Sequence, residues 1–196
     1  MFHQIPDEVL ARMRELKQME SKDAADDTAR FERLRQIPPE TGHLLALIAA
    51  SAPSGAFIEI GTSGGYSGLW ISLACRALGR GLTTFEIAEA KVALATETFR
   101  KAGVDDIVSI VPGDVREQLA GQSDVAFCFL DVEKDLYQEC YDAVLPNMVS
   151  GGLLVADNTI SHAGDLAEFL DRAEGDERVD TMIVPVGNGV LLVRRV

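Results

Sequence analysis

Five short apolar runs in this 196-residue chain each deliver acidic or amide groups at their carboxyl ends. The first carries Glu59 and runs into Gly61-Thr62-Ser63-Gly64-Gly65-Tyr66-Ser67. The second ends on Glu86 and the third on Gly113-Asp114. The fourth ends on Asp131, with Lys134 three residues later, and the fifth on Asp157-Asn158. In open α/β sheets, ligands bind outside the carboxyl ends of the strands, near the point where the strand order reverses. Acidic or amide groups at five successive strand ends are too regular for a purely structural cause.

Each group suits a chemistry. The glycine loop lets the backbone approach a ligand closely and opens a helix N-terminus. It is not G-x-G-x-x-G, because Ser63 stands at the second glycine, and no Gly-Lys-Ser/Thr follows to make a P-loop. Glu86 can accept hydrogen bonds from the two hydroxyls of a ribose, so loop and acid together point to a nucleoside-containing cofactor. Asp131, Asp157 and Asn158 offer two carboxylates and an amide oxygen, hard donors suited to Mg²⁺, Ca²⁺ or Mn²⁺. The same residue types also cap helices and close turns.

Beneath these groups, strands and helices alternate along the chain. Strands are expected at 56–60, 82–86, 107–111, 125–130 and 152–156. Tyr66, Leu69, Trp70, Leu73, Ala74, Ala77 and Leu78 make a helical stripe, as do Val92, Ala95, Phe99 and Ala102. Further helices are expected at 40–50, 136–145 and around Leu166 to Ala173. Apolar runs 181–186 and 190–193 flank Gly187-Asn188-Gly189, a hairpin signal. Strand–helix alternation implies a mostly parallel sheet with helices on both faces, closed by an antiparallel hairpin strand.

Before Pro38-Pro39, the stretch from Asp7 to Arg35 is dense in charge. Its apolar positions Val9, Met13, Leu16, Phe31 and Leu34 have helical spacing, which reads as one or two solvated helices lying on the domain. One domain, 1–196, is expected: a helical appendage at 1–38 and a catalytic core at 39–196. The formal net charge of −13 argues against a phosphate-backbone partner, since nucleic-acid binding rests on a basic surface. No apolar run is long enough for a membrane helix, and no secretory signal is seen. Cys75, Cys128 and Cys140 form no C-x-x-C and read as reduced core residues of a cytoplasmic protein.

The segments FIEIGTSGGYSGLWIS, FEIAEAK, PGDVREQL, FCFLDVEKDLY and GGLLVADNTISHAGD, in that order, resemble the cation-dependent O-methyltransferases of the caffeoyl-CoA and catechol type. The resemblance runs from about Pro39 to the C-terminus. It implies a Rossmann-like class I methyltransferase fold with a seven-stranded sheet, and S-adenosylmethionine as methyl donor. It implies Glu59, Gly61 and Ser67 beside the methionine part of the donor, Glu86 on the ribose and Asp114 at the adenine. Asp131, Asp157 and Asn158 would hold the divalent cation, magnesium first, with manganese and calcium as alternatives; Asp131 is counted in the donor site as well. Lys134 would be the general base, the acceptor a catechol-like aromatic, and the assembly a homodimer.

Two departures bear on the acceptor pocket. Thr159-Ile160-Ser161-His162 stands where the family carries a bulky apolar pair with tryptophan, and Leu136 replaces a polar residue. His162 could line that pocket, but a lone loop histidine is more often a surface residue, and it is kept out of the site. The sequence leaves open a metal-independent methyltransferase on another small acceptor and a non-catalytic S-adenosylmethionine-binding module. The missing second glycine and the closing hairpin argue against a dinucleotide-dependent oxidoreductase.

Overall fold

The computed structural model describes residues 4–26, 29 and 33–196. Seven strands form one sheet in the order β3-β2-β1-β4-β5-β7-β6. β1 (Ala56–Ile60), β2 (Leu82–Glu86), β3 (Val108–Pro112), β4 (Val125–Leu130) and β5 (Met148–Ala156) run parallel to one another. β7 (Val190–Arg195) runs antiparallel to both β5 and β6 (Val179–Val184). This is the expected architecture. β5 starts earlier than expected because Met148 already pairs with Val125, across a register shift in β4. β6 stops at Val184 because Pro185, lacking an N–H, cannot continue a ladder.

Alternation along the strands divides the core in two. Phe57, Phe127 and Phe129 pack with residues of α1 (Asp7–Ala25), α2 (Pro39–Ser51), α3 (Tyr66–Leu78) and α4 (Glu89–Lys101). Ile58, Ile60, Cys128 and Leu130 pack with α5 (Val115–Gln118), α6 (Tyr137–Val144) and α7 (Ala167–Glu174). Every residue of β4 is buried, as a central strand covered on both faces requires. The three cysteines are buried and free, as expected.

The N-terminal region differs from the expectation in two respects. α1 carries Val9, Met13 and Leu16 into the same core as α3 and α4, so only its outer face is solvated. Arg12 is buried with it, and its guanidinium donates to Thr98 Oγ1 at 2.9 and 3.1 Å. Residues 33–38 are not helical, and Phe31 lies outside the described residues.

The strand order reverses between β1 and β4. There Asp131 N–H donates to the Ile60 carbonyl at 3.0 Å, and Asp157 N–H to the Leu130 carbonyl at 3.1 Å. The loops that leave β1, β4 and β5 are thereby brought side by side.

Candidate active site

A cavity of about 570 Å³ opens over this reversal point. Gly61, Ser67, Glu86, Asp114, Asp131, Lys134, Asp157 and Asn158 all line it. Glu59 does not: it is fully buried. Thr84 Oγ1 donates to Glu59 Oε2 at 2.6 Å, and Thr84 is bonded in turn to the hydroxyl of Thr62, which does line the cavity. Burial pushes the Glu59 carboxyl up to about 7, against the pull of the Ser67 and Thr84 hydroxyls.

At one end of the cavity Glu86 is held rigidly. Its Oε2 accepts the Ser63 N–H at 2.8 Å and its Oε1 the Ala88 N–H at 2.9 Å. Each carboxylate oxygen keeps a further lone pair for a ligand hydroxyl. Gly113 N–H donates to the Glu86 carbonyl at 2.9 Å and so brings the third strand end alongside. Asp114 caps α5 through the Arg116 N–H at 3.0 Å and is clasped by the Arg116 guanidinium, which holds its carboxyl down to about 2.

At the other end the carboxylates crowd together. Asp131 Oδ1 accepts from Asn158 Nδ2 at 2.9 Å and from Lys134 Nζ at 3.4 Å. Asp157 is 1% exposed, and its Oδ1 is buried with no hydrogen-bond partner. Burial pushes both carboxyls up; the charge of Asp131 adds to the effect on Asp157, while Lys134 opposes it on Asp131. Asn158 holds a left-handed backbone, φ 65°, that turns its amide toward Asp131. Among the described residues no group of three or more His, Cys, Asp or Glu side chains is placed to hold a metal ion. The candidate donors are two carboxylates and an amide. An orphaned, buried carboxylate oxygen beside a second carboxylate fits a hard divalent cation.

The family model of the O-methyltransferases matches residues 9–196. The chain belongs to the O-methyltransferase family. Membership makes it an enzyme that methylates an oxygen atom. This O-methyltransferase is similar to the catechol O-methyltransferase of Mycobacterium tuberculosis, at 29% identity over 150 residues, 76% of this chain and 67% of that one. In fold it is similar to the O-methyltransferase of Bacillus cereus, solved in complex with SAH, with a TM-score of 0.78 and 20% identity over 95% of this chain and 91% of that one. It is also similar to the O-methyltransferase TomG of Streptomyces achromogenes, solved in complex with SAM, with a TM-score of 0.76 and 23% identity over 94% and 89% of the two chains. Among the described residues of this O-methyltransferase, no helix is long and apolar enough to cross a membrane.

Several residues of the site lie outside the set chosen from the sequence. His162, read as a surface residue, lines the cavity, and so does Asn188 from the β6–β7 turn. Arg35, Gln36 and Ile37 reach it from the N-terminal region, and Lys91 from the first turn of α4. Tyr137, fully buried, places its hydroxyl 3.0 Å from Lys134 Nζ. The motif FCFLDVEKDLY contains this tyrosine, but its spacing from Lys134 is equally that of a core residue at a helix start.

Proposed function

We propose that this O-methyltransferase takes its methyl group from S-adenosylmethionine, requires a divalent cation, and methylates a small catechol-like aromatic. One observation carries the reading. A single cavity joins a carboxylate pre-set for a ribose, Glu86, to a cation-demanding pair, Asp131 and Asp157, with Lys134 beside them. The SAM and SAH held by the two solved relatives support the donor. The named activity of the mycobacterial relative supports the acceptor class. Residues 39–196 are the catalytic core in this reading, and 1–38 an appendage whose last residues close one wall of the cavity. A homodimer in the cytoplasm completes it.

When bound, S-adenosylmethionine supplies an electrophilic sulfonium methyl, and a divalent cation supplies a Lewis acid for two adjacent hydroxyl oxygens. The chain's own residues do the rest. Glu86 accepts the ribose hydroxyls on its free lone pairs, while Gly61 and Ser67 face the methionine part and Asp114 stands at the adenine. Asp131, Asp157 and Asn158 are the residues that would hold Mg²⁺, or Mn²⁺ or Ca²⁺ in its place. Ile60, Phe85, Val132 and Leu136 give the cavity apolar walls that exclude water. Lys134 Nζ receives the proton of the attacking hydroxyl.

Calorimetry tests the reading. S-adenosylmethionine is expected to bind and NAD not to. Mg²⁺ is expected to bind the wild type and not Asp157→Ala. Tight NAD binding without S-adenosylmethionine binding overturns it, and unchanged Mg²⁺ binding by Asp157→Ala overturns the cation site.

A further inference from the structure

We infer that Tyr137 is a positioning residue that fixes Lys134 over the acceptor end of the cavity, an inference that rests on Lys134 being the general base. Tyr137 opens α6 and is fully buried, with its ring edge-on to Phe169 at 5.5 Å. A buried phenol must satisfy its oxygen. Three groups stand within reach: Lys134 Nζ at 3.0 Å, the Asp157 carbonyl at 3.2 Å and Asp131 Oδ1 at 3.4 Å. A phenol has one proton and can also accept. It donates to the Asp157 carbonyl, the nearer of its two acceptors, and accepts from Lys134.

The consequence for Lys134 is geometric. Three acceptors stand within reach of its Nζ: the Tyr137 hydroxyl, the Val132 carbonyl at 3.2 Å and Asp131 Oδ1 at 3.4 Å; acting as a base, the amine donates to two of them and turns its lone pair to the attacking hydroxyl. The tyrosine is the nearest of the three and the only one on the α6 side. A lysine stem has four rotatable bonds and takes its direction from its partners. Two of those partners, the Val132 carbonyl and the phenol, point Nζ away from free solvent. The third lies at the candidate cation site. Because the phenol is anchored on the Asp157 main chain, the lysine keeps a fixed relation to the end of β5, where Asp157 and Asn158 begin. Removing the hydroxyl leaves the ring and its packing against Phe169 in place, and takes from the candidate metal donors' side chains the 3.4 Å contact with Asp131 Oδ1 alone.

The test is Tyr137→Phe, made alone and in Lys134→Met, with turnover of a catechol acceptor, donor affinity and melting temperature measured on each. Tyr137→Phe alone is expected to lower kcat roughly ten- to a hundredfold, the scale of one hydrogen bond to a charged group. KM and S-adenosylmethionine affinity should stay within about twofold, since binding is untouched. In Lys134→Met the second substitution should lower kcat no further, because the group it positions is gone. In a crystal structure of Tyr137→Phe, Nζ should have left the Val132 carbonyl and Asp131. Equal losses in both backgrounds overturn the inference while the base reading stands, since the hydroxyl then acts through packing or the Asp157 main chain. Unchanged kcat in Tyr137→Phe, or Nζ still in place, overturns it too. Unchanged kcat in Lys134→Met overturns the base reading and this inference with it.

Discussion

The carbonyl oxygen of Asp131 occupies the space where a side chain on Gly61 would begin: a Cβ there would lie 2.0 Å from it. Gly61 also holds φ 101°, a backbone that L side chains rarely adopt. The end of β1, which opens the glycine loop, and the end of β4, which carries a candidate metal carboxylate, are in direct backbone contact. Gly61→Ala must therefore separate two strand ends and strain one of them. A loss of about 3 kcal/mol is expected. Urea unfolding checks it, and an unchanged midpoint would show that the contact relaxes without cost.

Glu86→Ala removes the carboxylate that accepts the Ser63 and Ala88 N–H groups and faces the proposed ribose. Donor affinity should fall by about 1–3 kcal/mol, the scale of hydrogen bonds to a charged group. Calorimetry with S-adenosylmethionine reads this directly. Unchanged affinity would make Glu86 a loop-shaping residue only.

Glu59 predicts a pH dependence of stability in the unliganded protein. Burial raises its carboxyl from 4.5 to about 7, so the folded state holds the proton more tightly than the unfolded state. That contribution is fully present below the unfolded value and is lost as pH rises through about 7. It is worth roughly 3 kcal/mol. Glu59→Gln cannot ionise, so its stability should gain on the wild type across that window and run parallel to it above. Chemical unfolding at about pH 5 and about pH 8 compares the two. Parallel behaviour throughout would mean that Glu59 does not carry the proton.

How much of this was legible in the sequence depends on whether a residue's role is local. β1, β2 and β4 fall on their expected bounds because each is an apolar run closed by a turn. The strand ends were legible too: a glycine loop or an Asp-Asn pair alone reads as a turn or a cap, but such groups recur at five successive strand ends. Tyr137 and His162 were not. A tyrosine at a helix start looks like core whether or not its hydroxyl meets a lysine. His162 enters the cavity only because the Asn158 loop folds back on the β6–β7 turn. Glu59 shows the converse: its position in the motif is plain, but its burial behind Thr84 and Thr62 is a property of packing between strands.

That β6–β7 turn gives a further prediction. The Gly189 carbonyl accepts the Thr159 N–H at 3.0 Å, and the Asn188 carbonyl accepts from Ile160 at 3.1 Å and Ser161 at 3.0 Å. A Cβ on Gly189 would lie 2.3 Å from Ile160 Cγ1 and 2.7 Å from its backbone nitrogen. Gly189→Ala should push this loop off the turn and carry Asn158 with it. Mg²⁺ affinity should fall by roughly tenfold or more, as when an outer-shell support of a metal site is lost. Donor affinity, which depends on β1 and β2, should hold. Equal losses of both would mean general unfolding instead.

Donor, cation and acceptor are tested together by methyl transfer from S-adenosylmethionine to a small panel of catechols, run with Mg²⁺ and with excess chelator. A methylated catechol hydroxyl is expected in the presence of Mg²⁺, and its loss with chelator or in Asp157→Ala. Full turnover in chelator, with Asp157→Ala as active as the wild type, would contradict it and leave Asp131, Asp157 and Asn158 as turn and capping groups.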